Sequence, residues 1–195
     1  MFFSLSGISQ ENVSGELYDL AKVKNGVRNK RISSTDPTGG NNDRLENIKS
    51  GETRVFADIK GSGVINHIWI TIAPGPDRLI RNDIILRMYW DGNEKPSVEA
   101  PIGPFFGQGW DERYNYASLP LSAGPENGTG LSCYFAMPFE KGARIEIENQ
   151  SDRNIDAFYF YVDYLEMAKL PKDMGRFHAW YNHNLTEALP EGETE

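Results

Sequence analysis

The sequence predicts an all-β fold, an antiparallel jelly-roll β-sandwich with a short N-terminal helix and an extended C-terminal segment, and three observations carry that prediction. From residue 53 onward the chain is a succession of short runs rich in Val, Ile, Tyr, Phe and Trp, divided by Gly, Pro and Asn turns. Almost no helical period interrupts them, which argues against parallel βαβ units and for a sandwich or barrel. A chain of 195 residues with 39% hydrophobic and 12% aromatic content is also long enough to bury one large core.

Residues 14–24, SGELYDLAKVK, place Leu17, Leu20, Ala21 and Val23 at near-helical spacing behind a possible Ser14 cap, and a short helix is expected there. Between 25 and 50 apolar residues become scarce while Gly, Asn, Ser, Thr and Asp accumulate, the chemistry of a long loop built from turns. TRVFADI (53–59) then ends at the Gly61-Ser62-Gly63 turn. GVINHIWITIA (63–73) follows, with Ile65, His67, Trp69 and Thr71 on one face and Val64, Asn66, Ile68, Ile70 and Ile72 on the other. DIILRMYW (83–90) runs into Asp91-Gly92, a strong hairpin signal. SVEAPI (97–102), LSCYFAMPF (131–139), ARIEIEN (143–149) and DAFYFYVDYLE (156–166) bring the total to about seven or eight strands. After Leu165 the pattern breaks, and 169–195 is a polar, aromatic-bearing extension with an acidic end that expects something to pack against. The chain thus divides into a helix and long polar loop (1–52), a jelly-roll core (53–168) and an extension (169–195), together forming one structural domain.

Composition excludes several functions. With 28 acidic against 20 basic residues, a net charge of −8, the chain has no electrostatic footprint for nucleic acid or an anionic membrane. No stretch approaches the ~18 apolar residues of a membrane span. MFFSLSGIS lacks the features of a secretory leader, so a cytoplasmic location is expected. Cys133 is the only cysteine and reads as a small hydrophobe in a buried strand. His67, His178 and His183 have no ligand spacing, and no GxSxG or Cys/His pattern occurs, so neither metal nor cofactor is expected.

Two segments carry possible chemistry. RISSTDPTGGNND (31–43) gathers Ser33, Ser34, Asp36, Thr38, Asn41, Asn42 and Asp43 around Gly39-Gly40, offering the directional donors and acceptors that sugar hydroxyls need. An Asx-turn loop that satisfies its own backbone explains the same residues equally well. PIGPFFGQGWDERYNY (101–116) sets Phe105, Phe106, Trp110, Tyr114 and Tyr116 among glycines and prolines, with Asp111 and Glu112 beside them and Glu99 and Asp91 nearby. Rings on a loop suit stacking on a sugar face, and they suit plugging a sandwich end or an oligomer contact just as well. A retaining glycosidase needs two carboxyls about 5–5.5 Å apart. No pair stands out among the 28 acids.

DLAKVKNGVRNKRISSTDPTGGNNDRLENIKSGETRVFADIKGSGVINHIWITI, RMYWDGNEKPSVEAPIGPFFG, YFAMPFEKGARIEIEN and FYFYVDYLE, in this order, resemble the opening half of glycoside hydrolase family 172, formerly domain of unknown function 2961. The resemblance spans nearly the whole chain. It implies a jelly roll assembled into trimers or hexamers and a retaining furanosidase acting on α-D-fructofuranosides or α-D-arabinofuranosides. The family's catalytic glutamates belong to later GEGDE and GTGxEDY motifs of a second jelly roll, and neither motif occurs here. No catalytic residue is therefore carried over, and this half is expected to be inactive unless a separate second half joins it. The resemblance implies substrate contacts from Asp36, Asn41, Asp43, Phe105 and Phe106, while Trp110 joins them on its loop position alone. Pro104 stands where the family commonly has Asp, which removes a carboxylate and a backbone donor. The rival readings are a non-catalytic jelly roll that binds carbohydrate or builds an oligomeric shell, and a new active site formed by acids within 31–112.

Overall fold

A computed structural model describes residues 21–73, 81–185 and 191–192. Two sheets face each other in a β-sandwich. The first contains β1 (Val27–Ser33), β2 (Leu45–Ile48), β4 (Ser62–Ala73), β7 (Tyr116–Ala117), β8 (Leu121–Gly124), β9 (Gly130–Cys133), β10 (Met137–Phe139) and β12 (Ile155–Met167). Its order is β1-β12-β4-β9-β8-β7, with β2 pairing β12 and β10 pairing β4. The second sheet has the order β13 (Ala179–Trp180), β6 (Val98–Pro101), β5 (Ile84–Trp90), β11 (Gly142–Asn149) and β3 (Thr53–Lys60). All pairs are antiparallel except the short β13–β6 contact. The chain crosses between sheets from β3 to β4 to β5 and again from β10 to β11 to β12, the alternation that makes a jelly roll.

The core lies between the inner faces, where Ile68, Ile70, Phe158, Phe160 and Val162 of one sheet meet Leu86, Met88, Ile145, Ile147 and Phe56 of the other. Phe56 sits against Phe158 and Phe160, with ring centroids 5.2 and 4.9 Å apart. Trp90 is fully buried, and its indole N–H donates to the Phe177 carbonyl at 2.7 Å, so the ring's polar atom is satisfied. Cys133 is buried among these residues, and burial pushes its thiol up to about 11.

Two segments differ from the sequence-based expectation. The helix expected over 14–24 lies mostly outside the described residues, of which 21–24 form a turn and a bend. The long loop expected over 25–50 contributes β1 and β2, both paired with β12. β1 is an edge strand with four exposed positions, so its composition is polar although its backbone is laddered. Part of the 169–195 extension also docks: Phe177 packs on Phe105 and Phe135, β13 pairs with β6, and Arg176 donates to Asp91 at 2.6 Å.

The alternation expected in β4 is broken by a bulge. His67 pairs with Asp163 and Ile65 with Tyr164, which leaves Asn66 as the extra residue. Ile65 therefore turns inward with Ile68, Ile70 and Ile72, while His67, Trp69 and Thr71 stay outside.

Candidate functional site

Loop 33–43 follows β1 and is held in shape by its own side chains. The Asp36 carboxylate accepts the Thr38 amide at 2.8 Å and the Thr38 hydroxyl at 2.7 Å through one oxygen, and the Asn42 amide at 3.2 Å through the other. Asp43 accepts the Asp36 amide at 2.7 Å. The Thr38 hydroxyl and the amides of Thr38 and Asn42 hold the Asp36 carboxyl below its ordinary pKa, because each bond stabilises the charged form. Ser34 continues the ladder beyond β1 by donating its amide to the Phe160 carbonyl at 3.1 Å and accepting the Phe160 amide on its hydroxyl at 3.1 Å. Asn41 lies exposed at a φ of 61°. The exposed side chains of Asn41 and Asn42 and the second oxygen of Asp43 are left to face a ligand.

Loop 106–115 is built differently. It follows a single helical turn, α1 (Ile102–Phe105), whose Ile102 and Phe105 are buried. Phe106 has no exposed surface and Phe105 is 9% exposed, and their rings meet edge to face at 5.0 Å. Neither offers a face for stacking on a sugar, since both pack the sandwich end. The loop is pinned by buried polar groups. Gln108 donates to the carbonyls of Tyr114 at 3.1 Å and Gly128 at 3.3 Å, and it accepts a bond from Arg81. Arg81 also donates to the carbonyls of Gly128 and Thr129, each at 2.8 Å. Burial and then the nearby Arg113 charge push Arg81 down to about 9, which leaves it protonated at neutral pH. Tyr114 donates to the Gly107 carbonyl at 2.6 Å, and Tyr116 donates to the Phe106 carbonyl.

Against this anchored base the loop tip is strained. Trp110 and Asp111 both have a φ of 56°, the left-handed region that costs non-glycine residues about 1–3 kcal/mol each. The consequence is a tryptophan 90% exposed, with the exposed carboxylates of Asp111 and Glu112 following it. Phe105 and Phe106 are thus brought together in the core, while Trp110 and Asn41 stand in solvent. Two of the nearby acids are structural. Asp91 accepts the amides of Glu140 and Lys141 and the Arg176 guanidinium, and Glu99 pairs with Arg87 at 2.5 Å.

A further constellation escaped the sequence reading. On the outer face of the first sheet, Arg31, Asp163 and His67 occupy one row across β1, β12 and β4. Arg31 reaches both oxygens of Asp163, at 2.6 and 3.0 Å, and His67 Nδ1 lies 2.8 Å from the second. Burial raises the Asp163 pKa, but the bonds from Arg31 and His67 outweigh it and hold the carboxyl below its ordinary value. In the next row Ser33, Tyr161, Trp69 and Ser132 are neighbours. The Arg31 guanidinium lies 4.4 Å from the Tyr161 ring centroid, and Tyr161 stacks on Trp69 at 5.1 Å. Alternation in YFYVDY (159–164) puts Tyr159, Tyr161 and Asp163 on one side of β12, as alternation in 63–73 groups His67, Trp69 and Thr71, but neither pattern pairs the two strands.

Shallow depressions of about 600 and 450 Å³ lie elsewhere, around Arg28, Lys60 and Glu166 and around Tyr89, Asn93 and Arg144. Among the described residues, no three His, Cys, Asp or Glu gather as metal ligands, and no helix is long and apolar enough to cross a membrane. The family model described as GH172 domain-like matches residues 41–161, a span that holds Asn41, Asp43, Trp69 and Trp110. No curated protein matches the chain.

Proposed function

The chain belongs to the GH172 domain-like family, a glycoside-hydrolase relationship, and on that premise we propose that it is the sugar-recognising jelly-roll portion of a furanosidase. Its substrates would be α-D-fructofuranosides or α-D-arabinofuranosides, with the catalytic glutamates supplied by a second jelly roll outside this sequence. The observation that carries the recognition role is Trp110, held 90% exposed on a loop whose anchors Gln108 and Arg81 are buried. A rigidly presented indole beside carboxylates matches a sugar ring, with one apolar face and a rim of hydroxyls. Asn41 and Asp43 would add polar contacts, Asp36 would hold their loop in shape, and Phe105 and Phe106 would support the Trp110 loop from below.

Retaining hydrolysis needs two carboxyls about 5–5.5 Å apart, one as nucleophile and one as acid. The buried Glu146 and the half-buried Asp91 and Asp163 are engaged instead by Tyr89, Arg176 and Arg31. The purified chain is therefore expected to bind short arabinofuranose or fructofuranose oligosaccharides in calorimetry and to release no p-nitrophenol from p-nitrophenyl furanosides. Turnover by this chain alone would overturn the division of labour, and absence of binding would overturn recognition.

A trimer or hexamer of this chain is part of the same proposal. Leu119 and Trp180, 88% and 66% exposed, supply apolar surface for such contacts. Light scattering that finds a monodisperse monomer would exclude it. A cytoplasmic location accords with the free Cys133 thiol.

A further inference from the structure

We infer that the outer face of the first sheet carries a sugar subsite of its own, a shelf walled by the Trp69 indole and floored by Ser132 and Ser122. The inference rests on the carbohydrate reading above and adds a binding surface on strands β4, β9 and β8, apart from the loop that carries Trp110.

The geometry follows from cross-strand register. One row runs Ser33, Tyr161, Trp69, Ser132 and Ser122 across β1, β12, β4, β9 and β8. The Tyr161 and Trp69 rings are 5.1 Å apart at 25°, close to the ~4.8 Å between strands, so they stand side by side upon the sheet. Arg31 closes the far side of Tyr161 at 4.4 Å. Beyond Trp69 the same row holds Ser132, Ser122 and then Ala117 of β7, and the row beside it holds Gly130 opposite Gly124. Along this row the surface therefore steps down from aromatic rings to hydroxyls at the boundary of β4 and β9, while Tyr134, stacked on His67 at 4.8 Å, borders the serines on the other side.

Gly130 lies at that step. Its φ is not positive, so backbone conformation does not require glycine there. A Cβ at 130 would instead meet the Gly124 carbonyl oxygen of the neighbouring strand at 2.8 Å and the Trp69 indole nitrogen at 3.1 Å. The missing side chain thus lets β8 and β9 approach and also leaves room for the indole, which stacks on Tyr161.

The chemistry fits an uncharged polyol. The hydroxyls of Ser122 and Ser132 are half-buried and make no hydrogen bond among the described residues, so both can donate and accept. Asp163 is neutralised by Arg31 and hydrogen-bonded to His67, so this pair leaves neither a spare anion for a cationic ligand nor a spare cation for an anionic one. Two strand spacings by two residues cover roughly 10 by 7 Å, the size of one sugar ring. A protein partner would need about 800 Å² of contact.

The test is fluorine NMR of the full chain labelled with 5-fluorotryptophan, with the resonances of Trp69, Trp90, Trp110 and Trp180 assigned from single Trp→Phe variants. The probes are the α-1,5-linked trisaccharide of D-arabinofuranose and an α-linked trisaccharide of D-fructofuranose. A saturable shift of the Trp69 resonance is expected, with the buried Trp90 resonance unmoved as a report of intact folding. Ser132→Phe fills the shelf from the neighbouring strand and should weaken the Trp69 titration at least tenfold with Trp90 still in place. If a trisaccharide shifts Trp110 but not Trp69, or titrates Trp69 in Ser132→Phe as in the unmodified chain, the shelf is refuted while carbohydrate recognition stands. If neither trisaccharide moves any resonance, both readings fall together.

Discussion

Loop 33–43 and loop 106–115 are both rich in residues suited to sugar recognition, yet they hold their shapes by opposite means. In the first, the acids bind the loop's own amides, so the polar groups that attract attention are mostly occupied by local backbone. In the second, the shape comes from below, through Phe105 and Phe106 in the core and through Arg81 and Gln108 in a buried polar cluster. That support lets the tip hold Trp110 and Asp111 in a strained conformation and present the indole to solvent. A loop that organises itself consumes its ligand-binding groups, whereas a loop organised by the core keeps them free.

The largest effect that would break this contrast is at Phe106. Phe106→Ala should cost about 3–5 kcal/mol, because it leaves a cavity in a fully buried site. In thermal unfolding this corresponds to a fall of more than about 6 °C, and an unchanged midpoint would show that the core does not carry the loop. Gln108→Ala comes next, at about 1–3 kcal/mol, since it removes a partner of Arg81 and of the Tyr114 carbonyl in a buried setting. Hydrogen exchange at Gly109 and Gly128 should accelerate in that variant.

Asp36→Ala should leave the unfolding midpoint almost unmoved while exchange quickens at Thr38 and Asn42, the amides its carboxylate accepts. The pH dependence has a definite sign. The folded pKa of Asp36 is depressed, so its contribution is complete above the ordinary carboxylate pKa and fades as pH falls below about 4. Protection of Thr38 that persists at pH 2 would contradict this role. The smallest stability effect is expected at the loop tip. Trp110→Gly removes an exposed side chain and relieves a left-handed backbone, so stability should hold or rise by up to about 1 kcal/mol. The same variant should weaken furanoside binding by roughly three- to tenfold, the range of one aromatic contact. A variant less stable than the parent, with binding intact, would reverse the comparison.

The fold was legible where strands bury one face in the core, even at a sheet edge such as β3. β3, β4, β5, β11 and β12 each contain β-branched and aromatic residues at alternating positions, because one face is buried in the core. β1, with the sequence VRNKRIS, has the composition of a loop because an edge strand needs a backbone partner but few apolar side chains. Simple alternation groups Ile65 with His67, Trp69 and Thr71, because the bulge at Asn66 has no signature in β4 alone and arises from pairing with β12. Phe177 lies in a segment without periodicity, and its burial depends on Phe105 and Phe135, more than 40 residues distant. For the site, residue types in both loops were legible and their occupation was not. Nothing in PFFG distinguishes a ring that stacks on sugar from one that plugs a sandwich.

By itself, the sequence determined the β period of the strands, the single core and the polar character of the connecting loops. These follow from side-chain chemistry and spacing over neighbouring residues, which local physics reads directly. The tertiary structure alone decided which polar groups remain available and which side chains stand in one row. Arg31 meets Asp163 across 132 positions, and His67 meets it across 96. The row exists because β1 and β4 flank β12, and burial and hydrogen bonding belong to pairs of positions that only sheet register brings together.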